Sequence, residues 1–385
     1  MLRRAAPLFA VLLAIFPVLA FAQVPAEGVK VRDLPPPSPH WAFVYTGIAA
    51  FPSDYPSAVT IIDGDRMEVL GSIDGGFISG FAIAPDHREL YMADTFYSRG
   101  SRGKRTDVVT IYNARTLAPA GEVIIPPKRQ LSAQDNQTTA VTPDGRFLLV
   151  MNMTPATSVS VVDLHARKFA GEMELAGCTE VLVTGPRRFS SLCGDGSILT
   201  TDFNDQAKIT HRSRMKPFFD ATKDPVFALP VMIGKEAYFV SYHGIVHPVD
   251  LAAEPPRAGK PWPLVTGSDA AKKWSPGGMQ PLAVSVRENL IYVLMHPGGE
   301  WTHKDPGKEV WVFDPRTHKR VRRIMLKAAA SAIMVSTDRK PLLFAASEPG
   351  VPGLMGSVAM YSADTGRLAG AVGGLALFWE HIYGL

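Results

Sequence analysis

The chain has 385 residues, 46% hydrophobic and 20% charged, with 33 Gly, 32 Pro and two Cys, a balance that excludes disordered, collagen-like and disulfide-dense small-domain classes. Forty Lys+Arg against thirty-six Asp+Glu leave a formal +4, spread without a basic block, so nucleic acid is not expected as a partner.

In chain order the first predicted element is a secretory signal over residues 1–22. Arg3 and Arg4 precede an apolar run over 5–21, and Ala20-Phe21-Ala22 supplies a small-residue cleavage site before Gln23. Residues 23–385 are read as one mature, exported domain. No membrane association is expected, because no later run approaches the roughly 18 apolar residues of a membrane span. Export places Cys178 and Cys193 in an oxidising compartment, where one disulfide is the default expectation.

Beyond the signal a pattern occurs seven times: a β-rich segment ending near Asp or Asn, a turn, then a second apolar run. AVTIID ends at Asp63, VVTIYN at Asn113, SVSVVD at Asp163 and SILTTD at Asp202, while GIVHPVD, EVWVFD and SVAMYSAD end at Asp250, Asp314 and Asp364. A second hairpin precedes most of these anchors, as over 81–92 around Pro85-Asp86 and 140–150 around Pro143-Asp144-Gly145. Two hairpins make four strands per unit, and the recurrence, roughly every 40 to 50 residues with one longer interval, is that of propeller blades.

A four-stranded sheet cannot bury both faces alone, whereas seven set radially bury each face against a neighbour. The prediction is an all-β, seven-bladed β-propeller of four-stranded blades; sandwiches and β-helices do not repeat at this period. Helix is expected only over 268–273. The first unit has strands at 41–46, 58–63 and 67–73 but no evident inner strand, so the tail over 376–382 is expected to pair with it and close the ring.

Phosphate loops, the Gly-x-Ser-x-Gly elbow and His-Glu-x-x-His are absent from the sequence, so nucleotide, hydrolase and zincin chemistry lack support. Neither a catalytic residue nor a metal ligand is assigned to this chain. His243 and His247 share a strand face without neighbouring Cys, Asp or Glu, and read as packing or surface residues. The densest basic run, Arg99-Gly100-Ser101-Arg102-Gly103-Lys104-Arg105-Thr106-Asp107, reads as a solvated loop between strands, with partner contact as the other reading. Gly75-Gly76-Phe77 and Trp274-Ser275-Pro276-Gly277-Gly278 read as turns at strand ends.

These residues also resemble one family, the heavy subunit of the quinoprotein amine dehydrogenases, which act on methylamine or aromatic amines. The resemblance spans nearly the whole mature chain. It rests on Ile73-Asp74-Gly75-Gly76-Phe77, Tyr97-Ser98-Arg99 through Asp107, Gly177-Cys178, and Cys193-Gly194-Asp195-Gly196-Ser197. Further matches are Trp274-Ser275-Pro276-Gly277-Gly278, His296-Pro297, Thr302-His303-Lys304 and Lys340-Pro341-Leu342-Leu343.

The resemblance implies a periplasmic propeller that binds no cofactor itself and pairs with a small light subunit carrying tryptophan tryptophylquinone. Two heavy and two light subunits would assemble and pass electrons to a blue-copper protein of the amicyanin or azurin type. A primary amine would leave as aldehyde and ammonia, and Phe77, in the Gly-Gly-Phe match, would line the substrate channel. Pro126-Pro127-Lys128-Arg129 leans towards the aromatic-amine enzymes, whereas 73–77 and 340–343 lean towards methylamine, which is favoured. The residues 375–385 depart from the family's usual tail. A non-enzymatic periplasmic propeller that binds a ligand or protein is the alternative that fold alone would allow.

Overall fold

Strand alternation decides the architecture. In FLLVMN (Phe147–Asn152), Phe147, Leu149 and Met151 enter one core cluster while Leu148 and Val150 enter another, so one strand feeds two inter-blade cores with a period of two. The computed structural model describes residues 33–46, 57–131, 137–348, 355–375 and 381–385. The expected signal over 1–22 lies outside the described residues.

Blade 1 contains β1 (Trp41–Thr46), β2 (Ala58–Asp63) and β3 (Glu68–Asp74), and blade 2 contains β4 (Gly80–Ile83), β5 (Glu89–Arg99), β6 (Arg102–Asn113) and β7 (Pro119–Ile125). Blade 3 is β8 (Thr139–Val141), β9 (Phe147–Asn152), β10 (Ser158–Asp163) and β11 (Lys168–Glu174). Blade 4 is β12 (Cys178–Gly185), β13 (Arg188–Cys193), β14 (Ile198–Phe203) and β15 (Ile209–Arg214). Blade 5 runs through β16 (Val231–Ile233), β17 (Glu236–Val240), β18 (Ile245–Asp250), β19 (Arg257–Ala258) and β20 (Trp262–Pro263). After α1 (Gly267–Ala271), blade 6 has β21 (Trp274–Pro276), β22 (Leu282–Ser285), β23 (Leu290–Pro297), β24 (Gly307–Asp314) and β25 (Lys319–Ala330). Blade 7 is β26 (Ala332–Val335), β27 (Leu342–Ser347), β28 (Gly356–Ser362) and β29 (Leu368–Leu375), and β30 (His381–Gly384) follows.

The seven sheets are the seven predicted units, and every anchor lies within two residues of the end of a third strand. Blades 5 and 6 each gain a fifth, short strand, because the long connection between them folds back as β20 and β21 onto β18 and β23. The helix, Gly267–Ala271, starts one residue before and ends two residues before the expected 268–273.

Ring closure follows from packing. The described residues form seven apolar clusters, one at each junction between neighbouring blades, including one that joins blade 7 (Phe344, Met360, Val372) to blade 1 (Ala42, Val44, Ile62). The strand order of blade 1 is β3-β2-β1-β30, so the C-terminus supplies its missing inner strand. That strand starts at His381 rather than 376; residues 376–380 lie outside the described set. Its register is set by burial of Ile382 in the junction cluster and by Gln280, whose amide grips the Ile382 backbone at both N–H (3.0 Å) and C=O (2.9 Å).

Antiparallel pairing puts the second-to-third strand hairpins and the connections between blades on the same side, here called the upper face.

Candidate functional site on the upper face

Phe77 sits on the connection from β3 to β4, between blades 1 and 2. The residue is 37% exposed, and its ring meets that of Tyr97 edge-on, with centroids 6.4 Å apart. The backbone beneath it is tightly held. Phe77 N–H donates to Thr95 O at 2.8 Å, Gly75 N–H to Ser57 O at 2.7 Å, and Ser57 N–H to Gly76 O at 3.0 Å. A Cβ on Gly75 would come within 2.7 Å of Asp94 Oδ1, itself held by hydrogen bonds, and one on Gly76 within 2.5 Å of Thr95 O, so both positions require glycine for close approach. Ile78, β-branched, adopts φ 45, a left-handed conformation that persists only where its surroundings enforce it.

What enforces it is a buried polar cradle. Asp94, fully buried, accepts from Gly76 N–H (2.8 Å), Ser79 Oγ (2.6 Å) and Thr110 Oγ1 (2.5 Å). Burial pushes its carboxyl above the usual range, opposed by those three donors and by the charge of Arg129. Asp107, also fully buried, receives a two-pronged guanidinium contact from Arg105 (2.8 and 2.7 Å), a bond from Thr95 Oγ1 (2.9 Å) and one from Arg129 N–H (2.9 Å). The Arg129 side chain donates to Thr95 Oγ1 through Nε (3.2 Å) and to Phe77 O through Nη2 (2.7 Å).

The basic run therefore differs from the expected solvated loop. β5 continues to Arg99 and β6 begins at Arg102, leaving Gly100-Ser101 as the turn, and Arg105 at its base folds inward because buried Asp107 needs a counter-charge. The tip residues Arg99, Arg102 and Lys104 are exposed.

Trp274 to Gly278 are likewise more than a turn. Trp274–Pro276 form β21, and Trp274 and Ser275 wall an upper-face cavity of about 290 Å³ that also involves Tyr242, Trp301 and His303. His303 stacks on Tyr242 at 3.8 Å and 8°, and its pKa is held low by burial and by Lys304. His243, beside it, pairs with Asp224 at 2.8 Å, while His247 packs against Phe218 and Phe219. Among the described residues no group of three or more His, Cys, Asp or Glu is arranged to hold a metal. Cys178 and Cys193 form a disulfide at the upper edge of blade 4, directly across strands β12 and β13.

Sequence reasoning brought forward Phe77 and the stretch from Tyr97 to Asp107 as two separate matches; the structure joins them. It missed Asp94, Thr95 and Arg129 as parts of one unit. The available signal was an acid placed mid-strand in an apolar segment, Tyr91-Met92-Ala93-Asp94.

The family model described as methylamine dehydrogenase heavy chain matches residues 50–376. The chain belongs to the methylamine dehydrogenase heavy chain family. It is 32% identical over 294 residues to the methylamine dehydrogenase heavy chain of Methylophilus methylotrophus, covering 76% of this chain and 72% of that one. It is 32% identical over 291 residues to that of Paracoccus versutus, covering 74% and 67%. Among solved structures, a dihydro-heme d1 dehydrogenase superposes with a TM-score of 0.53 at 15% identity, covering 90% of this chain and 75% of that one. A β-propeller domain from Myceliophteria thermophila gives 0.53 at 13%, covering 87% and 96%. At such identities these two share the fold alone. The relatives that carry this name are the heavy chains of an oxidoreductase, methylamine dehydrogenase.

Proposed function

We propose that this chain is the exported heavy subunit of a periplasmic, methylamine-oxidising heterotetramer of two heavy and two light subunits, with residues 1–22 as its signal and 23–385 as its single domain. The light subunit would carry tryptophan tryptophylquinone and seat on the upper face. When present, the quinone supplies the electrophilic carbonyl and the two-electron sink for amine oxidation. Electrons would then pass to a blue-copper protein of the amicyanin or azurin type.

The observation that carries this reading is an exposed aromatic ring on a backbone too constrained to yield. Phe77 stands on a segment locked by two required glycines and a buried ionic cradle. Such a ring suits the wall of a substrate channel: it excludes water and limits substrate size without moving when a substrate enters. The contribution of this chain is shape, and proton transfer belongs to the partner.

Two measurements test this. Purified from its native source, the chain should bring with it a small subunit showing quinone absorbance, and the separated heavy chain should not oxidise amines. In the complex, Phe77→Ala should weaken discrimination between methylamine and a bulky amine, in kcat/KM, by about 1–3 kcal/mol, with the quinone spectrum intact. An unchanged ratio removes Phe77 from the channel, and amine oxidation by the heavy chain alone overturns the division of labour.

A further inference from the structure

Two connections between blades meet at the Phe77 cradle, and one side chain joins them. Arg129 leaves the connection from blade 2 to blade 3, lies 4% exposed beneath the upper face, and reaches the Phe77 carbonyl on the connection from blade 1 to blade 2. Charge balance alone does not explain its identity. Asp107 is already met by the fork of Arg105, and Asp94 by three hydrogen-bond donors, so any nearby cation would satisfy the remaining electrostatics. The planar guanidinium is needed for something narrower. Its Nε and Nη2 reach two acceptors at fixed relative positions, Thr95 Oγ1 at 3.2 Å and Phe77 O at 2.7 Å, which a lysine's single ammonium cannot do. Thr95 is itself oriented by donating to Asp107 and fixes the other end of the segment by accepting Phe77 N–H on its carbonyl.

We infer that Arg129 is a positioning residue that sets the amine selectivity of the complex by fixing the Phe77 backbone, and through it the ring. The inference rests on the reading of Phe77 as a channel residue. Arg129 touches no substrate; it acts through Phe77, and small displacements of a wall residue change which substrates fit.

The test is a double-mutant cycle in the assembled heavy–light complex, reading the ratio of kcat/KM for methylamine to that for a bulky amine. Arg129→Met should move the ratio towards that of Phe77→Ala by about tenfold, chiefly through KM, and Arg129→Lys should fall between Met and wild type. In a Phe77→Ala background, Arg129→Met should change the ratio by less than about twofold, because the ring it positions is gone. A purely structural arginine would shift stability and not this ratio. Should Arg129→Met fail to assemble, Thr95→Val, which removes the Nε acceptor and leaves every charge in place, should shift the ratio in the same direction. An unchanged ratio in the arginine and threonine variants, or effects of Arg129→Met and Phe77→Ala that simply add, overturns the inference while leaving the channel reading intact. An unchanged ratio in Phe77→Ala overturns both.

Discussion

Blades 1 and 4 are closed by opposite means. In blade 4 all four strands are consecutive in sequence, and a disulfide joins Cys178 to Cys193 across a neighbouring pair only 15 positions apart. Blade 1 is sewn from both ends of the chain, with Ala42 facing Gly384 and Tyr45 facing His381, and no covalent link. Loop-closure entropy rises only as the logarithm of length, so closing the roughly 340-residue loop of blade 1 costs about 3 kcal/mol more than closing a loop of 15. Burial of Ile382, worth about 1.5–3 kcal/mol, already offsets most of that. The backbone ladder and the Gln280 clamp supply the rest. Long sequence separation is thus no obstacle to a non-covalent seam, provided one strand is fully paired and buried. The disulfide reinforces a hairpin that local pairing already favours.

The comparison breaks most visibly if the seam is removed. Deleting residues 381–385 exposes the inner edge of β1 and leaves Gln280 without its Ile382 partners, so the melting temperature should fall by about 5 °C or more, or folded protein should be lost. An unchanged melt in calorimetry would show that the blade 7–blade 1 core closes the ring unaided. A smaller loss is expected from Cys178→Ser with Cys193→Ser. The bridged loop contributes about 3 kcal/mol by chain entropy, read as a lower denaturation midpoint with the fold retained. Titration of the unfolded, unreduced wild type should find no free thiol at these positions.

The smallest effect is pH-dependent and confined to the seam. His40, just before β1, lies 2.6 Å from Asp65 and 3.1 Å from Asp338 of blade 7. Burial lowers its pKa, but the hydrogen bond to Asp65 and the charges of Asp338 and Asp65 outweigh it, leaving the folded-state pKa raised above 6.5. A raised value means the folded state binds the proton more tightly than the unfolded one. The resulting stabilisation is full below 6.5 and disappears as pH rises through the folded-state pKa. Wild type should therefore lose about 1–2 °C more than His40→Gln between mildly acidic and mildly alkaline buffer. Equal losses would mean that the imidazole contributes no charge to the seam.

Much of the fold was legible because the relevant interactions are short-range. Period-two alternation named both faces of strands such as Phe147–Asn152, and Asp-rich turns marked the strand ends at Asp63, Asp163, Asp250 and Asp314. The seven-fold repeat then left a propeller as the arrangement that covers every sheet. The candidate site was legible only in fragments. Arg105 looked like one more cation in a solvated run, since nothing local reveals that Asp107 beside it is fully buried. Arg129 looked like part of a Pro-rich connection.

Sequence by itself therefore determined the blade count, the strand faces, the disulfide partners and the inner strand the tail had to supply, all consequences of local periodicity or of one missing piece. Tertiary structure alone decided that the tail pairs from His381, that Asp94, Asp107 and Arg129 share one buried site, and that Phe77 is left exposed above it. The reason is physical: whether a charge is solvated or buried depends on the summed packing of residues far apart in sequence, and the blade 1–2 and blade 2–3 connections meet over the β5–β6 hairpin only once the blades have packed side by side.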